Sequence, residues 1–383
     1  MRSNLLLLLL ALLVPGFARA AQSDAPLPQV PAGFGITVYA EVPRARQLAV
    51  GPPGVIFVGS RGDRVYALID GNDDGYAESV RVVAQGLDTP AGIAWRDGDL
   101  YVAEVTRITR WRRQGRDAPE VTVPEILLDS LPAQRGHAMR PLAFGPDGAL
   151  YFAVGVPCNI CLPASPHGEI LRLVPGDSRA ETWAKGVRNP VGTAWHPHTG
   201  ELWFTDNGRD WLGDDLPSCE LNRAPAPGLH FGYPYRHGLA VEDPEFGAAL
   251  PSDLEPVGPE LELGAHVAPL GLAFHSGTGW PAAYAGNLFI AEHGSWNRSH
   301  KSGYRVVRVE LDASGTRVTR HTPFVTGWLQ GESAWGRPVD VAVGPDGSLF
   351  VSDDEANRVY RVFWKGERAP QPGASEEGVV THE

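Results

Sequence analysis

Sulfur is scarce in this chain of 383 residues, which has two Met and three Cys. So small and odd a cysteine count excludes a disulfide-built scaffold. Cys158 and Cys161 form a C-x-x-C pair, and an oxidising compartment would allow a short disulfide between them. Leu162 follows where a covalently attached c-type haem needs His, so that haem is excluded. Cys219 is left over and reads as a buried free thiol. Positive charge is also in deficit. Lys and Arg number 33 against 45 Asp and Glu, a formal charge of -12, which speaks against nucleic acid or an anionic membrane as partner. Long apolar runs are missing after the first one, Leu5 to Val14. With Arg2 before it and Ala18-Arg19-Ala20 after it, that run reads as a secretory signal over residues 1–20, too short to span a bilayer comfortably. A periplasmic or secreted protein without membrane insertion is therefore expected.

What the chain does have is Gly (45) and Pro (34), a mix that suits many strands joined by turns. A unit recurs: an apolar strand start, a turn rich in Pro, Asp and Gly, then a second apolar strand. Leu48 to Val58, Gly92 to Val102, Leu142 to Phe152 and Val191 to Thr205 are four copies. Gly271 to His275 with Gly286 to Ile290 is a fifth, its turn widened by an insertion, and Val341 to Val351 is the sixth. The early copies lie about 50 residues apart, a period that points to a radial array. The expectation is all-β, a six-bladed β-propeller over residues 33–366, with Gly35 to Ala40 completing the last blade and closing the ring. Residues 21–32 read as a linker, and 367–383, rich in Pro, Gly and Glu, as a disordered tail. Residues 209–264 read as long loops over one face.

Function has to come from sites on such a scaffold. His137, Arg188, His266 and Arg337 stand just before the first strand of four successive copies. In a propeller those positions converge near the central channel. A cluster of Arg188, Arg337 and Lys301 would be costly unless it faced an anion, which suggests a multiply charged anionic ligand beside His137 or His266. Asp206, Asn207, Asp210, Asp214, Asp215 and Glu220 supply oxygens that suit Ca²⁺, although their spacing is not that of an EF-hand loop. Asp70 to Tyr76 also looks cation-friendly, with a hydrated turn as the simpler reading.

In order and placement, several short motifs resemble the soluble quinoprotein sugar dehydrogenases that use pyrroloquinoline quinone (PQQ), closest to the sorbosone-type and pyranose dehydrogenase branch. They include Gly136-His137, Gly186-Val187-Arg188-Asn189, Thr205 to Asp210 with Glu220-Leu221-Asn222, His293 to Arg298 and Gly336-Arg337-Pro338. The resemblance implies a six-bladed propeller, PQQ near the channel, and Ca²⁺ bound by the backbone carbonyls of Gly208 and Arg209. It implies His137 as general base, Arg188 and Asn189 on the quinone oxygens, and Lys301 and Arg337 on the PQQ carboxylates. His266 joins the cofactor-binding set. It also implies a small sugar or alcohol substrate and an external electron acceptor such as a cytochrome. Gly136 stands where the glucose-oxidising branch has Asp, and Thr89-Pro90 where that branch has Gln. Glucose is therefore not implied, and the group that orients His137 has to be another one. Two alternatives stay open. A metal-dependent propeller lactonase would hold Ca²⁺ with side-chain carboxylates in the channel and lack the cationic cluster. A non-catalytic propeller binding carbohydrate or protein would not need His137.

Overall fold

The computed structural model describes residues 26–112 and 124–366. The expected signal and tail lie outside the described residues. Six four-stranded antiparallel sheets form the blades of a propeller, the sheet of blade 3 carrying one added strand. Each begins with one of the six hairpins: Ala45–Val50 with Val55–Ser60, Gly92–Arg96 with Asp99–Ala103, Leu142–Phe144 with Leu150–Val154, Pro190–Trp195 with Leu202–Asp206, Pro269–Phe274 with Leu288–Glu292, and Pro338–Val343 with Leu349–Asp353. We number the blades 1 to 6 in that order. Blade 6 takes its outermost strand from the other end of the chain. Phe34–Glu41 pairs antiparallel with Arg358–Trp364, from Phe34 opposite Trp364 to Glu41 opposite Arg358. The ring therefore has no broken edge at this point.

The second strand of every blade is buried on both faces, which explains its continuous apolar run, while outermost strands such as Ser79–Gln85 and Glu125–Leu128 are largely exposed. Among the described residues, six apolar clusters fill the gaps between neighbouring blades, one to each gap. Within Val55–Ser60, Ile56 and Val58 face the closing strand and blade 6, while Phe57 faces blade 2. Gln47 stitches three blades at the axis, its Oε1 accepting from the Ile93 and Leu142 N–H groups while its Nε2 donates to the Leu142 carbonyl.

Two expectations need correction. Residues 209–264 are not loops alone: Ser218–Ala224 and Leu261–Ala265 are the third and fourth strands of blade 4, and Leu229–His230 adds a parallel strand to blade 3. The first of these strands is hidden in the sequence by Glu220, Asn222 and Arg223. Glu220 is buried there because Gly238 N–H and Asn222 Nδ2 donate to it, and burial pushes its carboxyl up to about 8. The linker is also partly built into the fold. Gln29 exchanges main-chain hydrogen bonds with Thr326, and Val30 packs on the cluster between blades 5 and 6. No helix among the described residues is long and apolar enough to cross a membrane.

Candidate functional site

Alternation along the blades puts the starts of the innermost strands and the ends of the second strands on one face. A cavity of about 570 Å³ opens there. Its wall contains six arginines (44, 46, 61, 135, 188 and 337) and three histidines (137, 266 and 293), against one carboxylate, Asp210. In a chain with a formal charge of -12, this is a strong local inversion of sign. His137, Arg188, Asn189, Gly208, His266 and Arg337 all line it.

Val156 orients His137. The His137 Nδ1 lies 2.8 Å from the Val156 carbonyl oxygen; a carbonyl only accepts, so Nδ1 carries the proton and Nε2 the lone pair. Gly155 lets the backbone carrying His137 come close, because a Cβ there would stand 2.6 Å from that of His137. Burial, and then the charge of Arg188, lower the imidazole to about 4. In the ligand-free protein, ¹⁵N NMR should therefore show His137 neutral down to about 4, against 6.5 for an unperturbed ring. An anion that neutralises Arg188 should raise that midpoint. A ligand-free midpoint above about 6 would contradict the burial argument.

Two arginines are presented by the same local device. At the end of the second strand of blade 4, Asp206 accepts the main-chain N–H groups of Arg188 (2.7 Å) and Asn189 (2.6 Å). In blade 6, Asp353 accepts the N–H of Arg337 at 2.9 Å. Both carboxyls are pushed up to about 6 by burial. The Arg188 guanidinium is fixed by the carbonyl and side-chain oxygens of Asn159 (both 2.8 Å), the Asn207 carbonyl (3.1 Å) and Asp210 (3.4 Å). Asn159 sits inside the loop closed by the Cys158–Cys161 disulfide. Cys219 is the buried free thiol expected. Arg337 donates to the carbonyls of His293 and Gly294 and lies over the Tyr304 ring. Like Arg44, it has no carboxylate partner among the described residues. Both are free to meet an anion.

The remaining candidates fall as follows. Gly208 lines the cavity, and among the described residues neither its carbonyl nor that of Arg209 accepts a hydrogen bond. The Arg209 side chain is anchored elsewhere, on Asp243 and Glu245. His266 donates from Nε2 to the Gly213 carbonyl at 2.8 Å, with Nδ1 3.8 Å from Asp210. Lys301 is not in the cavity wall. It is exposed, because its loop turns outward onto Glu332, although its Nζ lies 5.8 Å from the centre of the Tyr304 ring that Arg337 also approaches. Sequence reasoning missed Arg44, which stands just before Ala45 of blade 1 as Arg337 stands before Pro338, and Arg46, one residue into that strand. It also missed Asp354, whose carboxylate meets Arg46 (2.9 Å), His293 (2.8 Å) and Arg61 (3.6 Å). At the mouth, Trp211 and Trp296 meet edge to face at 5.4 Å, both largely exposed.

The wall fits a small polyanion with a quinone: free cations, an oriented neutral imidazole, and unpaired main-chain oxygens for a hard cation. It does not fit the side-chain carboxylate cage of a lactonase, since Asp210 is occupied by Arg188 and lies against His266.

Comparison with known proteins bears on the fold and the family. A family model described as TrAA12-like matches residues 253–365. An uncharacterized protein of Borreliella burgdorferi is 30% identical over 366 residues, covering 92% of this chain and 95% of its own. The aldose sugar dehydrogenase YliI of Escherichia coli is 26% identical over 71% of this chain and 68% of its own. Among solved structures, the holo form of the pyranose dehydrogenase PQQ domain from Coprinopsis cinerea has the same fold, with a TM-score of 0.72 at 19% identity, covering 88% of this chain and 97% of that one. With a full-length relative, a matching family model and the same ring of six blades, the chain belongs to the TrAA12-like, soluble PQQ-dependent sugar dehydrogenase family.

Proposed function

We propose that this protein is an exported PQQ-dependent oxidoreductase that oxidises a sugar or a related alcohol or aldehyde. The observation that carries this reading is the cavity wall, with six arginines and three histidines against one carboxylate in an acidic protein. A tricarboxylate cofactor is what such a wall would balance. Arg337 and Arg44, which lack carboxylate partners among the described residues, would hold its carboxylates, and Lys301, now over the Tyr304 ring outside the wall, would have to turn inward to join them. Arg188 and Asn189 would face its quinone oxygens, and the carbonyls of Gly208 and Arg209 would bind Ca²⁺. The bound quinone supplies the acceptor for the two electrons and hydrogen leaving the substrate carbon as hydride.

The chain's own residues do the rest. His137 takes the hydroxyl proton at Nε2, the nitrogen left free by the bond from Nδ1 to Val156. Burial and the Arg188 charge keep that nitrogen unprotonated before substrate arrives. Arg188 is held rigidly by Asn159 and Asp210, so its charge needs no reorganisation to stabilise the developing negative charge. The face of Trp296 offers an apolar platform for the C–H face of a pyranose ring at the mouth.

The test is reconstitution of metal-free, cofactor-free protein with PQQ and Ca²⁺. The expected result is a saturable spectral change and turnover of one or more aldoses with an artificial electron acceptor. No saturable change on adding PQQ would sink the proposal.

A further inference from the structure

One cluster on the molecule takes no part in this chemistry. The turn between the third and fourth strands of blade 1 reads Asp70-Gly71-Asn72-Asp73-Asp74-Gly75-Tyr76-Ala77-Glu78. It leaves blade 1 on the face opposite the cavity. Asp70, Asp74 and Glu78 can each bring one carboxylate oxygen to within 4.8 Å of the others. An acidic turn alone would be no more than hydrated surface. Asp70 makes the difference: it is only 9% exposed. Its Oδ2 accepts the Gly75 N–H at 3.0 Å, while its Oδ1 is buried with no hydrogen-bond partner. A buried acceptor left unpaired costs about 1–3 kcal/mol, and more for a carboxylate. The nearby Arg361 is paired with Asp346 at 2.7 Å.

The spacing says which ligand would satisfy that oxygen. Carboxylate or amide oxygens stand at the first, third and fifth positions (Asp70, Asn72, Asp74), glycine at the sixth, and Glu78 at the ninth. These are the leading positions of the twelve-residue calcium loop. The sixth position needs glycine here, because Gly75 has a φ of +86° and a Cβ would strike the Arg361 guanidinium. The twelfth position is Arg81, so the bidentate closing Glu of that loop is missing. An all-oxygen set without His or Cys selects a hard cation.

We propose that Asp70–Glu78 is a structural calcium site at the seam of the ring, separate from any ion in the cavity. The turn touches both sides of that seam. Asp70 N–H donates to the Gly54 carbonyl of blade 1, and Ala77 N–H donates to the Tyr39 carbonyl of the closing strand at 3.1 Å. An ion that fixes the turn therefore fixes the closing strand against the first blade.

The test uses the full chain freed of metal and cofactor. Tb³⁺ bound in the turn should be sensitised by Tyr76 and displaced by Ca²⁺, with a Kd on the order of 10⁻⁴–10⁻³ M for a loop lacking its closing Glu. The melting temperature should rise with Ca²⁺ over the same range. Asp70→Asn, which keeps an acceptor for Gly75 N–H, should abolish both responses, and Glu78→Gln should weaken Ca²⁺ about tenfold. If Asp70→Asn does not fold, Glu78→Gln decides. Emission and a melting shift that persist unchanged in Glu78→Gln belong to another site and overturn the proposal, as does a wild-type protein with neither response. Because no PQQ is added, the outcome is independent of the redox reading.

Discussion

His137→Ala is expected to lower kcat by about 10²–10⁴-fold while leaving PQQ affinity within a few-fold of wild type. The argument is geometric. Nδ1 is fixed on the Val156 carbonyl, so Nε2 is the one ring nitrogen free to take a proton in the cavity. Alanine keeps the Cβ that packs on Gly155 and removes only the ring. The surrounding arginines are untouched, so anion binding should survive. Stopped-flow reduction of the reconstituted protein, alongside a PQQ titration, separates the two quantities. Full turnover in the variant would remove His137 from the mechanism, and joint loss of turnover and cofactor would reassign it to binding. Gly155→Ala should mimic part of the defect by displacing the ring without deleting it.

Asp354→Ala is expected to be the most destabilising single change near the cavity. Burial pushes this carboxyl up, but His293 and Arg46 pull it well below the usual carboxylate range. The residue just after the second strand of blade 6 thereby ties together Arg46 of blade 1 and His293 of blade 5. Removing it leaves the Arg46 guanidinium, itself 4% exposed, without its counter-ion. Breaking a buried pair from one side costs about 3–5 kcal/mol, and thermal denaturation should show a fall of roughly 6–10 °C. The linkage has a definite sign. A carboxyl with a depressed folded pKa contributes stability that is present above its unfolded value near 4 and lost as pH falls below it. The gap between wild type and variant should therefore close in acid. Arg46→Met in the Asp354→Ala background should recover part of the loss, and simple additivity of the two changes would contradict the pairing.

All six hairpins were legible in the sequence because the second strand of each is buried on both faces and their turns carry Pro, Asp and Gly. Closure by Gly35 to Ala40 was legible for the same reason, and the pairing with Arg358–Trp364 confirms it. The cationic cavity was half legible. Arg188 and Arg337 stood out because each precedes a recognisable strand, yet Arg44, in the place of Arg337 before blade 1, was passed over; Arg46 lies inside that strand, and Arg61 in a bend that has no pattern. The third strand of blade 4 was invisible because Glu220 and Asn222 look like solvent-facing residues until their partners are seen. What orients His137 could not be read at all, since the group is a backbone carbonyl and any residue type at Val156 would supply it.

The closing strand carries a consequence for biosynthesis. Phe34–Glu41 leaves the ribosome before all six hairpins, and its partner Arg358–Trp364 after them. While the blades between them are made, the first strand is an unpaired apolar edge, open to association with other chains. A message cut short anywhere before residue 358 yields blades without a closed ring, however well the earlier hairpins form. The architecture thus checks that the ring has been read through: only a chain made as far as Arg358–Trp364 can cover Phe34–Glu41.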